Sequence, residues 1–329
     1  MDKTTERGPL LLLAGRANRP LAREIADMLG TSAEGVTIYN FADGEIFVRI
    51  DRNARGRDVF ILQPTVAGAD NILELLLLVD AAKRASAARV TAVVPYFGYG
   101  RQDRKDQPRV SIGAKLVANL MVAAGADRVV SIDFHQHQIQ GFFDIPVDHL
   151  YAAPVFTAYF RGKELPDLVV VAPDVGSAKM ARGFAKRLGA SLAIIDKRRP
   201  AANVSEVLNV VGDVVNRTCL ITDDMIDTGG TIAQAVQALI DRGARSVYVA
   251  ATHALLSGEA VARLSAAPLE ELVVTNTIDI PESKRFDRLR VLSVADLLAR
   301  AITYIHSNAS VSQLFELKDN KDPPKIALA

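Results

Sequence analysis

The stretch LITDDMIDTGGTI, residues 220–232, runs from an apolar row through three aspartates into Thr-Gly-Gly-Thr. Downstream, Ile232, Ala235, Val236, Leu239 and Ile240 recur at spacings of three and four, and Asp241-Arg242 close the pattern before Gly243. A buried strand, a glycine turn and a helix therefore follow one another. Such a junction presents unpaired helix N–H groups and the positive end of a helix dipole, and Gly229 and Gly230 let a ligand approach the backbone. Thr228 and Thr231 add hydroxyl donors, a combination suited to a phosphate monoester. Asp223 and Asp224 would repel phosphate and are better used as acceptors for sugar hydroxyls, so the whole describes a ribose phosphate. A bare Thr-Gly-Gly-Thr is equally well read as a capped helix start. The aspartate pair ending the strand turns the reading toward a ligand.

Working outward, apolar runs rich in Val and Ile recur as DVFILQ from Asp58, RVTAVVPY from Arg89, DRVVSID from Asp127, DLVVVAPD from Asp167, SLAIID from Ser191 and ELVVTN from Glu271. Continuous apolar strands alternating with amphipathic helices predict an α/β protein built on parallel sheets covered on both faces. A chain of 329 residues exceeds one ordinary core, and the alternation restarts around residues 151–165. The expected division is 8–153, 154–305 and a C-terminal segment 306–329 that packs back before a charged, proline-bearing tail.

Lys and Arg number 39 against 38 Asp and Glu, a balance of +1, which gives no global electrostatic reason for a nucleic acid or membrane partner. The apolar run 72–82 contains Glu74 and Asp80 and reads as a helix on a sheet rather than a membrane span. The single Cys219 lies in an apolar strand, where a buried inert thiol is expected, and a reducing, cytoplasmic setting fits.

No Walker lysine loop is present, so nucleotide binding would need another device. PYFGYGRQDRK, residues 95–105, offers one: Tyr96, Phe97 and Tyr99 to stack a base, then Arg101, Arg104 and Lys105 to neutralise phosphates. A solvated strand-end loop explains the same composition. In SIDFHQHQ, residues 131–138, Asp133, His135 and His137 alternate and could share one strand face. Two histidines are not a complete metal site, and structural imidazoles account for them as well as ligands do.

LITDDMIDTGGT resembles the phosphoribosyl-diphosphate motif of type I phosphoribosyltransferases and of ribose-phosphate diphosphokinases. FADGEIFVRI, PYFGYGRQDRK, SIDFHQHQIQGFFDIPVD, APDVG and IIDKRRP resemble successive signatures of the diphosphokinase family, over about residues 8–316. The resemblance implies two tandem type I phosphoribosyltransferase-like α/β domains, each a largely parallel sheet flanked by helices. It implies transfer of the diphosphoryl group of MgATP to D-ribose 5-phosphate, giving phosphoribosyl diphosphate and AMP. By the same resemblance, Asp43, Gly44, Glu45, Arg101, Gln102 and His135 bind ATP, and His135 and Asp174 hold Mg²⁺. Asp223, Asp224, Asp227, Thr228, Gly229, Gly230 and Thr231, with Arg199, take ribose 5-phosphate, and Lys197 and Arg199 are the catalytic pair. Two basic groups there would offset charge accumulating on the phosphoryl oxygens in flight.

The resemblance further implies a homo-oligomer, a hexamer in the family, and regulation by ADP and phosphate with SVSQLF, residues 310–315, near the effector pocket. Departures are Ser177 where a second glycine is usual, Met180 for an arginine, Phe134 and Gln136 for Leu and a small residue, and Ser111 for proline. Two alternatives are a phosphoribosyltransferase consuming phosphoribosyl diphosphate and a non-catalytic, synthetase-associated subunit. The first leaves the ATP motifs without a task, and eroded site residues would be expected of the second.

Overall fold

The computed structural model describes residues 8–66, 68–198 and 207–314. Arg199 and Phe315 lie outside the described residues, as does the side chain of Lys197. The chain divides into two compact units, one of residues 1–151, 277–279 and 294–329, the other of 152–276 and 280–293.

The first unit carries β1 (Gly8–Ala14), α1 (Arg19–Leu29), β2 (Val36–Asn40), β3 (Ile46–Ile50), β4 (Arg57–Leu62), α2 (Ala69–Arg84), β5 (Arg89–Val94), α3 (Gly113–Ala124), β6 (Arg128–Ile132) and β7 (Val147–Leu150). Among the described residues, β1-β4-β5-β6-β7 form one sheet with every neighbouring pair parallel. The apolar runs at 58 and 89 are its central strands, and Val59, Ile61, Val90 and Ala92 are fully buried, as a sheet covered on both faces requires. β2 and β3 stand apart as an antiparallel hairpin.

The 72–82 run is indeed helical within α2. Glu74 faces inward at 1% exposure: its Oε2 meets Arg16 Nε at 2.6 Å, and its Oε1 accepts the Arg16 N–H and, at 3.1 Å, Gln63 Nε2. A buried carboxylate with that many donors is satisfied rather than stranded.

The second unit holds α4 (Ala153–Arg161), β8 (Leu168–Ala172), α5 (Ala178–Leu188), β9 (Ser191–Arg198), β10 (Val207–Val211), β11 (Thr218–Ile226), α6 (Gly230–Asp241), β12 (Ser246–Ala254), α7 (Ala260–Ala266), β13 (Glu271–Thr275) and β14 (Leu289–Leu292). Its sheet runs β10-β9-β8-β11-β12-β13-β14, parallel except where β10 returns antiparallel along β9. Ile232, Ala235, Val236 and Leu239 of α6 are buried, and Gly243 past the helix has φ of 85°.

Strand β11 does not stop at its aspartates. It pairs with β12 through Met225↔His253 and Ile226↔Ala254, because β12 is equally long and continues the ladder. α8 (Ala295–His306) groups with the first unit, not with the second as a division at 305/306 would have it. The physical cause is its packing on α1 and the Arg89 guanidinium bound to the Ile305 carbonyl at 3.3 Å. Among the described residues, no helix is long and apolar enough to cross a membrane.

Candidate active site

In the second unit, the turn after β11 lies where the sequence motif put it. Gly229 caps α6 in the left-handed region at φ of 71°, and α6 opens at Gly230 and Thr231 with helix N–H groups that have no acceptor within the helix. Thr228 and Thr231 are exposed and Asp227 is half-buried. Two contacts brace the turn: Ser257 N–H donates to the Asp227 carbonyl at 2.9 Å, and Arg263 Nη1 donates to the Thr228 carbonyl at 2.5 Å.

Asp223 and Asp224 occupy successive positions near the end of β11, and Asp224 N–H donates to Asp223 Oδ1 at 3.0 Å. Burial and then the neighbouring Asp224 charge hold the Asp223 carboxyl well above the usual carboxylate range. Asp174 follows β8, the neighbouring strand, so all three carboxyls gather at one sheet edge. Ser177 joins them. Its N–H donates to Asp174 Oδ1 at 2.9 Å, and its Oγ lies 3.2 Å from Asp174 Oδ1 and 3.3 Å from Asp223 Oδ1. Carboxylate oxygens here suit a hard divalent cation that keeps waters and phosphate oxygens as its other ligands. A protein cage is not what the site provides: among the described residues no group of three or more His, Cys, Asp and Glu could hold a metal by itself.

In the first unit, Arg101 and Gln102 are exposed on the loop after β5, and Gln102 N–H donates to the Tyr99 carbonyl at 2.9 Å. His135 is half-buried beside this loop: a Cβ on Gly100 would sit 3.5 Å from the His135 Cβ, and Gln138 Nε2 donates to Asp103 Oδ2 at 3.1 Å. Asp43, Gly44 and Glu45 form the exposed tip of the β2–β3 hairpin, where Gly44 has φ of 96° and Phe41 N–H donates to the Glu45 carbonyl. The hairpin is tied next to its tip by Arg16 Nη1 to Asn40 Oδ1 at 2.7 Å.

Two expectations about these loops need correction. Of the three rings in PYFGYG only Tyr99 is exposed; Tyr96 and Phe97 are buried, with Phe97 edge-on to Phe134 and Phe143 in the core. The alternation of Asp133, His135 and His137 on one strand face also fails, because β6 ends at Ile132 and Asp133 turns the chain at φ of 41°. His137 instead begins a 3₁₀ turn and lies against the rings of His149 and Tyr151. Phe134, where Leu is usual, fills core space.

The contacts of Ser177 and Arg263 escaped the sequence, as did the exposed aromatics of the hairpin. Tyr39 stacks on Phe47 with centroids 4.7 Å apart, and Phe41 stands edge-on to both, 47% exposed. The alternation of rings either side of FADGE was the available signal. Arg263 gave none, being 35 residues from the carbonyl it holds. Cys219 is fully buried, and burial pushes its thiol up to about 11, in keeping with an inert core residue.

Each unit is thus a largely parallel sheet flanked by helices, and the second carries a Thr-Gly-Gly-Thr helix start beside paired aspartates. Residues 10–125 match the N-terminal domain of ribose phosphate pyrophosphokinase, and 199–316 match the phosphoribosyl synthetase-associated domain. The chain is 54% identical over 313 residues to the ribose-phosphate pyrophosphokinase of Nostoc sp., covering 94% of this chain and 95% of that one. It is 53% identical over 308 residues to the enzyme of that name from Caldanaerobacter subterraneus subsp. tengcongensis, covering 93% and 98%. The crystal structure of phosphoribosylpyrophosphate synthetase from Mycobacterium smegmatis superposes with a TM-score of 0.86 at 48% identity, covering 92% of this chain and all of that one. The chain belongs to the ribose-phosphate pyrophosphokinase family.

Proposed function

We propose that the protein transfers the β,γ-diphosphoryl group of MgATP to the anomeric hydroxyl of D-ribose 5-phosphate. The sugar O1 attacks the β-phosphorus, the bond from that phosphorus to the α,β-bridging oxygen breaks, AMP departs and the hydroxyl proton leaves to solvent. The observation that carries this reading is the braced turn at Asp227–Thr231, set beside the Asp223–Asp224 pair on the same strand-to-helix junction. Backbone N–H groups and the Thr228 and Thr231 hydroxyls take the 5-phosphate, and Asp223 and Asp224 accept from the ribose hydroxyls.

Arg101, Gln102 and the Asp43–Glu45 tip take the nucleotide, with Phe41 and Tyr99 offering exposed ring faces to the base. By the family resemblance His135 and Asp174 would each be ligands of Mg²⁺, which would offset negative charge on the phosphoryl oxygens. Lys197 and Arg199 supply further positive charge to the oxygens of the group in flight, so catalysis is positioning and charge neutralisation without a covalent nucleophile.

The deciding experiment incubates the purified protein with MgATP and ribose 5-phosphate and follows AMP and phosphoribosyl diphosphate by chromatography. Equimolar appearance of both is expected. ATP consumption that ignores ribose 5-phosphate would sink the assignment.

A further inference from the structure

Ser177 stands at the start of α5, where a serine ordinarily caps the helix by accepting from its first turn, yet its side chain makes no such bond. The backbone there is already helical, with φ of −80° and ψ of −4°. The hydroxyl is directed instead at two carboxylates, one in the turn after β8 and one on β11, 3.2 Å from Asp174 Oδ1 and 3.3 Å from Asp223 Oδ1. A glycine at this position would keep the N–H to Asp174 and lose the hydroxyl that lies between the two carboxylates.

A hydroxyl has one hydrogen. Between two carboxylate oxygens it can donate to only one at a time, turning a lone pair on the other. The two oxygens are not equivalent. Asp174 Oδ1 keeps a second donor from the same residue, the Ser177 N–H at 2.9 Å, so it can release the hydroxyl and remain bonded. Asp223 Oδ1 accepts from Asp224 N–H at 3.0 Å, and a second donor on that oxygen would fix the carboxylate plane.

Given the roles proposed above for Asp174 and Asp223, we infer that Ser177 is a positioning residue that couples cation binding at Asp174 to ribose 5-phosphate binding at Asp223. With its charge balanced by a divalent cation, Asp174 has less hold on the hydroxyl. Ser177 Oγ–H then donates to Asp223 and orients it toward the sugar. By linkage the effect is reciprocal: ribose 5-phosphate strengthens cation binding by the same factor.

The test is the calorimetric Kd for ribose 5-phosphate, without nucleotide, in EDTA and at saturating Mg²⁺. It is made for the unaltered protein, Ser177→Ala, which keeps the N–H to Asp174, and Ser177→Thr, which keeps the hydroxyl. Mg²⁺ is expected to tighten binding about fivefold or more in the unaltered and threonine proteins and less than about twofold in the alanine protein. Ser177→Gly repeats the measurement if the alanine protein melts early. An equal Mg²⁺ effect with and without the hydroxyl overturns the coupling, as does sugar binding that ignores Mg²⁺ in the unaltered protein, while both leave the proposed reaction standing. No binding of ribose 5-phosphate to the unaltered protein at saturating Mg²⁺ overturns the coupling, while only AMP formation that ignores the sugar overturns the reaction.

Discussion

His306 Nδ1 lies 2.8 Å from Asp58 Oδ2, joining the last turn of α8 to the first residues of β4 across 248 positions of sequence. Asp58 is fully buried and also takes a two-pronged ion pair from Arg89, whose side chain is 14% exposed. The Arg89 guanidinium reaches the C-terminal end of α8, where positive charge is favoured. Removing the carboxylate leaves the guanidinium buried without its counter-charge. Asp58→Ala is expected to cost about 3–5 kcal/mol, the range for breaking a buried pair from one side. Urea titration gives the loss, and proteolysis within 295–306 before global unfolding would show that the helix undocks first.

The two glycines of the turn serve different ends. Gly229 is held at φ of 71°, and a Cβ there would meet Leu264 Cγ at 3.0 Å, so Gly229→Ala is strained in backbone and packing and should cost more than about 1 kcal/mol of stability. At Gly230 the nearest atoms to an added Cβ, Arg263 Nη1 and Thr228 Oγ1, are 3.9 Å away. Gly230→Ala should therefore melt like the unaltered protein yet bind ribose 5-phosphate at least about tenfold more weakly, the loss expected when one of several phosphate contacts is blocked. Thermal melts and calorimetry together separate the two cases. Weakening by Gly229→Ala alone would place the phosphate elsewhere.

What was legible in the sequence is what periodicity and local chemistry encode. The apolar spacing of α6 and its closing Gly243 could be read residue by residue, because a helix face and a C-terminal glycine are local facts. The end of β11 could not, since its length is set by the partner strand β12, and the aspartates ride on a ladder that carries them two residues further. The aromatic loop misled for a related reason: ring composition says nothing about which rings are consumed by the core, and Phe97 was taken by Phe134 and Phe143. Asp133 broke the histidine alternation through a left-handed turn that only the fold imposes. Ser177 was visible as a departure from pattern, but its meaning depends on Asp223, 46 residues away.

Asp223 should weaken the fold for which it is needed. Its carboxyl is raised in the folded state, by burial first and then by Asp224, so the folded protein binds the proton more tightly than the unfolded chain, whose carboxyl ionises near 3.8. Stability from this group is complete below that unfolded value and is lost as pH rises toward the folded one. Asp223→Asn removes the penalty. In EDTA its melting temperature is expected to exceed that of the unaltered protein, by a margin that widens upward from pH 5, while ribose 5-phosphate binding is lost. A margin that narrows with rising pH would contradict the buried-charge account.

Lys197 separates binding from chemistry. Its backbone pairs with Leu208 in the antiparallel ribbon of β9 and β10 at the edge of the sheet, and β9 is two strands from β11, which leads into the braced turn. A cation brought to the phosphoryl group only in the transition state contributes to rate and little to ground-state affinity. Lys197→Ala is therefore expected to slow single-turnover AMP formation by about a hundredfold to a thousandfold, the size of effect seen when one transition-state donor is removed. Calorimetric Kd values for ATP and ribose 5-phosphate should stay within about threefold, since the ground-state contacts remain. Arginine at this position keeps the charge but changes its geometry, so Lys197→Arg should recover part of the rate. If both affinities collapse with the rate, Lys197 acts in binding and the assigned role fails.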